Sequence, residues 1–255
     1  MKNFRVMIST MKQNKVVMKA GAIILALVLW ELCAILIKQD IILEGPIDVI
    51  RRFFTIWKEE NFFSSIWFSF YHIVLGFSIG TILGIFLGFL AGRFFVIETF
   101  LWPYMVCVKS IPVASIVVIC FLWLSARNLS VFISLLIVLP IMYQNTLTGY
   151  KSQTKELKEM ADLFHIQGFK RFYFVILPQM KSYLVAGIAT ASGMAWKAGV
   201  AAEVIGTPDG SIGQQLFLSK IYLDTDDLFA WTVALVLVSV FFEKALVWIM
   251  KRLLP

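Results

Sequence analysis

Charge is scarce in this chain, and so are most of the residues that do chemistry at neutral pH. Of 255 residues only 15% are Asp, Glu, Lys or Arg, where soluble domains carry about 25%. There are two histidines, His72 and His165, far apart and without the companion ligands of a metal site. The three cysteines, Cys33, Cys107 and Cys120, sit in apolar stretches without the paired spacing of a metal or redox centre, which makes buried free thiols the expectation. No G-x-x-x-x-G-K-[ST] run is present, so the chain cannot cradle nucleotide phosphates by the P-loop mechanism. Nothing like a nucleophile elbow occurs either, which argues against a hydrolase. Residues 1–18 are basic and mixed, and the apolar stretch after them lacks a small-residue cleavage site, so that stretch is expected to stay as a helix.

What the chain has in quantity is apolar surface: 60% hydrophobic residues and a mean hydropathy of +0.83. Its solvent is lipid. A spanning helix needs roughly 20 apolar residues, and apolar runs place spans at about 19–38, 66–91, 104–126, 129–149, 183–205 and 228–250. The expected fold is all-α, a single transmembrane domain over residues 1–255 with about six spans. With the N-terminus inside, Lys and Arg favour the inner segments by about two to one, Lys38 falling outside, and both termini are then cytoplasmic. The net charge of +7 reflects this distribution rather than nucleic-acid binding. In the first outer connection, 39–65, Pro46 suits the first turn of a helix. Val49, Phe53 and Ile56 share one face of it, as on an interfacial amphipathic helix. The last outer connection, about 206–227, is dense in turn residues from Gly206 to Gly213 and reads as a loop.

The second span carries Gly76, Gly80, Gly84, Gly88 and Gly92 at four-residue intervals, and the fifth repeats the device with Gly187, Ala191, Ala195 and Gly199. Each Gly costs about 1 kcal/mol of helix propensity. A stripe without side chains offsets this by letting another backbone approach closely. Close packing within the chain is the first expectation, and a subunit interface or mobile pore lining is the alternative. Lys109, Ser110 and Pro112 in the third span, with Met194, Trp196 and Glu203 in the fifth, are the candidate translocation-path residues. Charge within a span is costly and marks function by default, although Glu203 near a helix end also fits an interfacial placement. Pro112 and Pro140 remove backbone hydrogen bonds and can bend the third and fourth spans.

The inner connection, 150–182, is too polar to span. Leu157, Met160, Ala161 and Phe164 follow i, i+3, i+4, i+7 spacing beside Lys155, Glu156, Lys158, Glu159 and Asp162, which predicts an amphipathic helix. Gly168 is expected to end it in a left-handed cap, with a second run continuing to Leu177-Pro178 just before the fifth span.

Glu159-Met160-Ala161 followed by Ile176-Leu177-Pro178 resembles the EAA loop of binding-protein-dependent ABC transporter permeases. The family pattern sets a glycine six residues after the glutamate. His165 stands there, so the usual turn is expected to be shifted or opened, and Ile176 falls one place later than the family's apolar position. The resemblance covers most of the chain after about residue 45. It includes Lys109-Ser110-Ile111-Pro112, Trp196-Lys197-Ala198-Gly199 and Ala201-Ala202-Glu203-Val204-Ile205-Gly206, similar to permeases of the nitrate, sulfonate and taurine group, some members of which handle thiamine-precursor pyrimidines. It implies a type I importer permease in a prokaryotic cell membrane. It further implies cytoplasmic ATPase subunits that bind the ATP and Mg, an extracytoplasmic binding protein and a second permease copy. The ATPase-coupling residues would be Glu159, Met160, Ala161, His165, Gly168, Leu177 and Pro178. The alternative, from another class, is an ion-gradient-driven secondary transporter using Lys109 or Glu203 as its charge-carrying site.

Overall fold

The structure, a computed structural model, describes residues 2–37, 39 and 42–253, with side chains from Val17 onward. Lys38 and the side chains of Lys2, Arg5, Lys12 and Lys15, all counted in the charge distribution above, lie outside the described residues. Every regular element among the described residues is helical. In chain order they are α1 Lys2–Ile37, α2 Pro46–Ile56, α3 Phe62–Arg93, α4 Phe95–Ser110, α5 Val113–Phe121, α6 Ala126–Lys151, α7 Lys155–Leu163, α8 Gly168–Arg171, a π-helical turn Phe172–Ile176, α9 Leu177–Gly206, α10 Ile212–Tyr222 and α11 Thr225–Leu253. Among the described residues, five stretches are long and apolar enough to cross a membrane: Val17–Ile37, α3, α6, Gly168–Gly206 and α11. The pair α4 and α5 makes a sixth if counted as one broken span.

That broken pair corrects the expected single third span at 104–126. The helix begins earlier, at Phe95, and turns by 97° between Ser110 and Val113. Proline is the cause. Pro112 has no N–H to continue the ladder, and Ile111 before it is pushed into the extended region, at φ −78° and ψ 131°. Pro140, in contrast, lies within the unbroken α6. A second correction concerns 206–227, expected as a loop: only 207–211 is non-helical before α10 begins. Ser211 starts α10 by accepting the Gln214 N–H at 2.9 Å, while Gln214 Oε1 accepts the Gly210 N–H at 2.7 Å, so S-I-G-Q works as a helix-start signal.

Packing divides into two compact units, Glu60–Phe217 with Ala234–Pro255, and Met1–Glu59 with Leu218–Val233. In the first, α6 lies between α3 and α9. A Cβ added at Gly80 would sit 2.8 Å from the Leu135 carbonyl oxygen; at Gly84 it would sit 2.7 Å from that of Leu139, and at Gly88 2.7 Å from that of Tyr143. Gly92 meets the Tyr150 side chain, and Gly76 meets α6 at Val131 and Ser134. The glycine stripe of α3 therefore lies directly on the backbone of α6. On the other side of α6, Gly187 faces Asn145, Gly199 meets Ser134 of α6 and Ile73 of α3, and Ala191 and Ala195 are fully buried. Trp196 fills this core beside Phe70 and Phe242.

In the second unit the amphipathic α2 buries Pro46, Val49, Phe53 and Ile56. Arg52 pairs with Asp227 and with Glu59, the latter at 2.7 Å, and the Asp227 hydrogen bond raises the guanidinium pKa still further. The Trp30 indole N–H donates to the Glu44 carbonyl at 3.0 Å, and its ring lies 5.5 Å from that of Phe229.

Gly84→Ala is expected to destabilise the detergent-solubilised protein by about 1–3 kcal/mol through overpacking. Gly21→Ala, which would meet nothing within 4 Å, is expected to leave stability unchanged or slightly improved. Thermal melts of the two variants check this, and equal melting temperatures would contradict it.

Candidate functional site

The connection between α6 and α9 is an ordered helical hairpin. Its entry is tied by the Thr154 N–H, which donates to Gln179 Oε1 at 3.2 Å, and Arg171 clamps α8 to Asp162 of α7 at 2.5 Å. Ala161 is fully buried, and Leu157 is half-buried. Met160, Leu163 and Phe164 are exposed. Phe164, expected on the packed face, is turned out because α7 ends just before it. Glu159 is also exposed, with Lys155 one turn away at 3.6 Å, an ion pair worth little in water.

The turn after α7 is where the expectation about glycine is corrected. The Ile166 N–H donates to the Ala161 carbonyl at 2.8 Å, and the His165 N–H to that of Asp162 at 3.1 Å. This pair of bonds is a Schellman cap, with His165 as its left-handed residue at φ 50°. The tight turn is thus neither shifted nor opened; histidine occupies it. Gly168 is left-handed too, at φ 60°, but it opens α8 rather than closing α7. Leu177-Pro178 lies inside a continuous helical run from Gly168 to Gly206, not ahead of the span. The π turn Phe172–Ile176 immediately precedes them. Widening the helix there absorbs the hydrogen bond that Pro178 cannot donate, and Gln179 Nε2 caps the Val175 carbonyl at 2.7 Å.

The candidate path residues separate into two groups. Lys109, Ser110 and Pro112 come together at the α4–α5 break. Ser110 Oγ donates back to the Val106 carbonyl at 2.9 Å. Lys109 is exposed and lines a cavity of ≈ 280 Å³ between α4 and α6. Met194 is partly exposed on α9, whereas Trp196 and Glu203 are buried in the packed interior rather than lining an open cavity.

Glu203 has a clear structural task. Its Oε2 accepts the Ser69 hydroxyl at 2.6 Å and the Gly213 N–H at 3.3 Å, and Ser69 Oγ in turn accepts the Ile212 N–H at 2.9 Å. The Ser130 hydroxyl, fully buried, faces the same carboxylate without reaching hydrogen-bond geometry. A carboxylate at the first turn of α10 satisfies N–H groups that have no partner within the helix and complements the helix dipole. Sequence reasoning missed Ser69, Ser130 and α10. The signal that could have found α10 was the Ser-x-x-Gln start at 211–214.

These features define a class: a polytopic membrane protein whose bundle is built on α3, α6 and α9, with a capped helical hairpin joining two of its spans. Residues 80–255 match the family described as binding-protein-dependent transport system inner membrane components. The chain belongs to that family and is an ABC importer permease. It is 26% identical to a putative aliphatic sulfonates transport permease protein of Bacillus subtilis, over 78% of this chain and 72% of the relative. It is likewise 26% identical to the formylaminopyrimidine transport permease protein of Halalkalibacterium halodurans, over 73% and 75%. A nitrate import permease protein of Synechococcus elongatus is 23% identical over 82% and 86%.

His165→Gly is expected to stabilise the α7 turn by up to about 1 kcal/mol, since glycine is free of the left-handed penalty, and His165→Val to destabilise it by at least that much. Hydrogen exchange at the Ile166 amide reports both; the opposite order would refute the assignment. Glu203→Ala, which orphans two buried donors, the Ser69 hydroxyl and the Gly213 N–H, is expected to cost about 2–4 kcal/mol, and Glu203→Gln less than half of that. Thermal unfolding in detergent distinguishes them.

Proposed function

We propose that the chain forms half of the translocation pore of an ATP-driven importer, and that α7 is the helix through which a separate ATPase drives it. The observation that carries this reading is the exposed apolar strip of Met160, Leu163 and Phe164 on a helix held rigid by the Schellman cap, the Arg171–Asp162 clamp and the Gln179 tie. Apolar side chains left in water on a braced element suit a partner's groove. A rigid helix can also transmit a displacement that a flexible loop would absorb. Because the second arm of the hairpin, clamped to α7 by Arg171–Asp162, runs without interruption from Gly168 into α9, a displacement of α7 is passed to a spanning helix packed on α6.

The complete importer then comprises two copies of this chain, two cytoplasmic ATPases holding ATP and Mg, and an extracytoplasmic binding protein that delivers the solute. Both termini and α7 are cytoplasmic, as the distribution of Lys and Arg favours. ATP-driven closure of the ATPases pulls the α7 helices together and turns the cavity outward; hydrolysis resets it. The relatives' names point to a sulfonate, a nitrate-like anion or a thiamine-precursor pyrimidine as cargo. The chain does no covalent chemistry. The ion-gradient alternative loses its acidic carrier, because Glu203 is engaged in holding α10.

Glu159→Arg and Phe164→Asp are each expected to leave membrane insertion intact and to lower ATP-driven uptake by on the order of tenfold or more, with ATP hydrolysis uncoupled from transport. Uptake at the unmodified rate in both variants would remove α7 from the coupling role.

A further inference from the structure

The cavity between α4 and α6 holds a charge that no ion pair among the described residues balances. The lining side chains of α4 recur at helical spacing, Glu98, Trp102, Val106 and Lys109, so they form one stripe; Tyr143 and Gln144 of α6 line the cavity with them. Glu98 is already neutralised by Lys151, with Nζ at 2.5 and 2.6 Å from its two oxygens. Lys109 makes no ion pair among the described residues, and its side chain is exposed. It lies eleven residues beyond Glu98, about 16 Å along the helix, inside the broken candidate span that α4 and α5 make together. An unpaired ammonium within a span is excluded from lipid contact and belongs in a water-filled cavity. The helix breaks immediately beyond it, at Ile111-Pro112, and non-helical backbone at membrane depth is likewise tolerated where it lines such a cavity.

We propose that this cavity is a charge-selecting station on the translocation path, where the Lys109 ammonium, with Gln144 and Tyr143 lining the same cavity, receives the oxyanion group of a small monoanionic solute. The inference rests on the importer reading and deepens it: it makes the permease itself, and not only the binding protein, a filter for negative charge. Lys109 supplies the attraction. Gln144 Nε2 contacts Thr148 Oγ1 at 3.3 Å, leaving the amide's second N–H for a ligand oxygen. Trp102 forms an apolar wall suited to the non-ionic part of the solute.

The test uses the full importer, permease with its ATPases and binding protein, in phosphatidylcholine liposomes. Val106→Cys is introduced into a chain in which the exposed Cys33 and Cys107 are replaced by Ser and the buried Cys120 is kept. Labelling rates are measured for an anionic sulfonatoethyl and a cationic trimethylammonioethyl methanethiosulfonate, with and without ATP. The anionic reagent is expected to be favoured by on the order of tenfold over its ratio at a free thiol. Lys109→Gln abolishes that preference, Lys109→Arg keeps it, and millimolar methanesulfonate slows the labelling. A cysteine unreactive to both reagents in both nucleotide states overturns the proposal, as does a preference that Lys109→Gln leaves unchanged. A preference that disappears when anionic phosphatidylglycerol is added assigns the oxyanion to a lipid headgroup and overturns it as well. ATP-driven uptake is measured in parallel: its absence with charge-selective labelling intact would strike the importer reading and spare the cavity.

Discussion

The structure depends on one contact, the glycine stripe of α3 laid on the backbone of α6. Lipid offers no hydrophobic driving force between spanning helices, because its tails are as apolar as leucine, so association has to come from close packing. Removing side chains from Gly80, Gly84 and Gly88 brings the α6 carbonyls to the distance where a Cβ could not fit. With α3 and α6 locked, α9 packs against α6 through Gly187, Ala191 and Ala195 and against both helices at Gly199, and Trp196 closes the core against Phe70 and Phe242. The bundle is thereby rigid in its middle, and the elements that differ from a plain span, the α4–α5 break and the α7 hairpin, are attached to it.

A packed apolar interior restricts what polar groups can do there. Glu203 is held by one of its oxygens, Oε2, which meets the first turn of α10 and the Ser69 hydroxyl, so the residue anchors α10. Lys109 has the opposite surroundings: among the described residues it makes no ion pair, the one carboxylate lining its cavity, Glu98, being held by Lys151, and an open cavity lies beside it. The contrast is one of environment rather than residue type. At the hairpin, strain is held in the left-handed His165 and in the π turn before Pro178, and both deviations sit where the chain connects the exposed α7 to a helix long and apolar enough to span the membrane.

Much of the architecture was legible in the amino-acid order. Apolar runs long enough to span, the amphipathic faces of α2 and α7, and the glycine period of α3 are local patterns that lipid and water read residue by residue. The family, too, followed from Glu159-Met160-Ala161 and Ile176-Leu177-Pro178. What the order alone determined, then, is membership in a class of membrane-spanning permease, because hydropathy and short motifs depend on neighbours in the chain. Tertiary structure decided the rest. Whether His165 could take a glycine's place depended on bonds to Asp162 and Ala161 being worth more than the backbone penalty. Whether Glu203 and Lys109 are engaged within the chain or left facing open space depended on which groups stood opposite them. Those partners lie up to 134 residues away in the chain, and no local pattern records who they are.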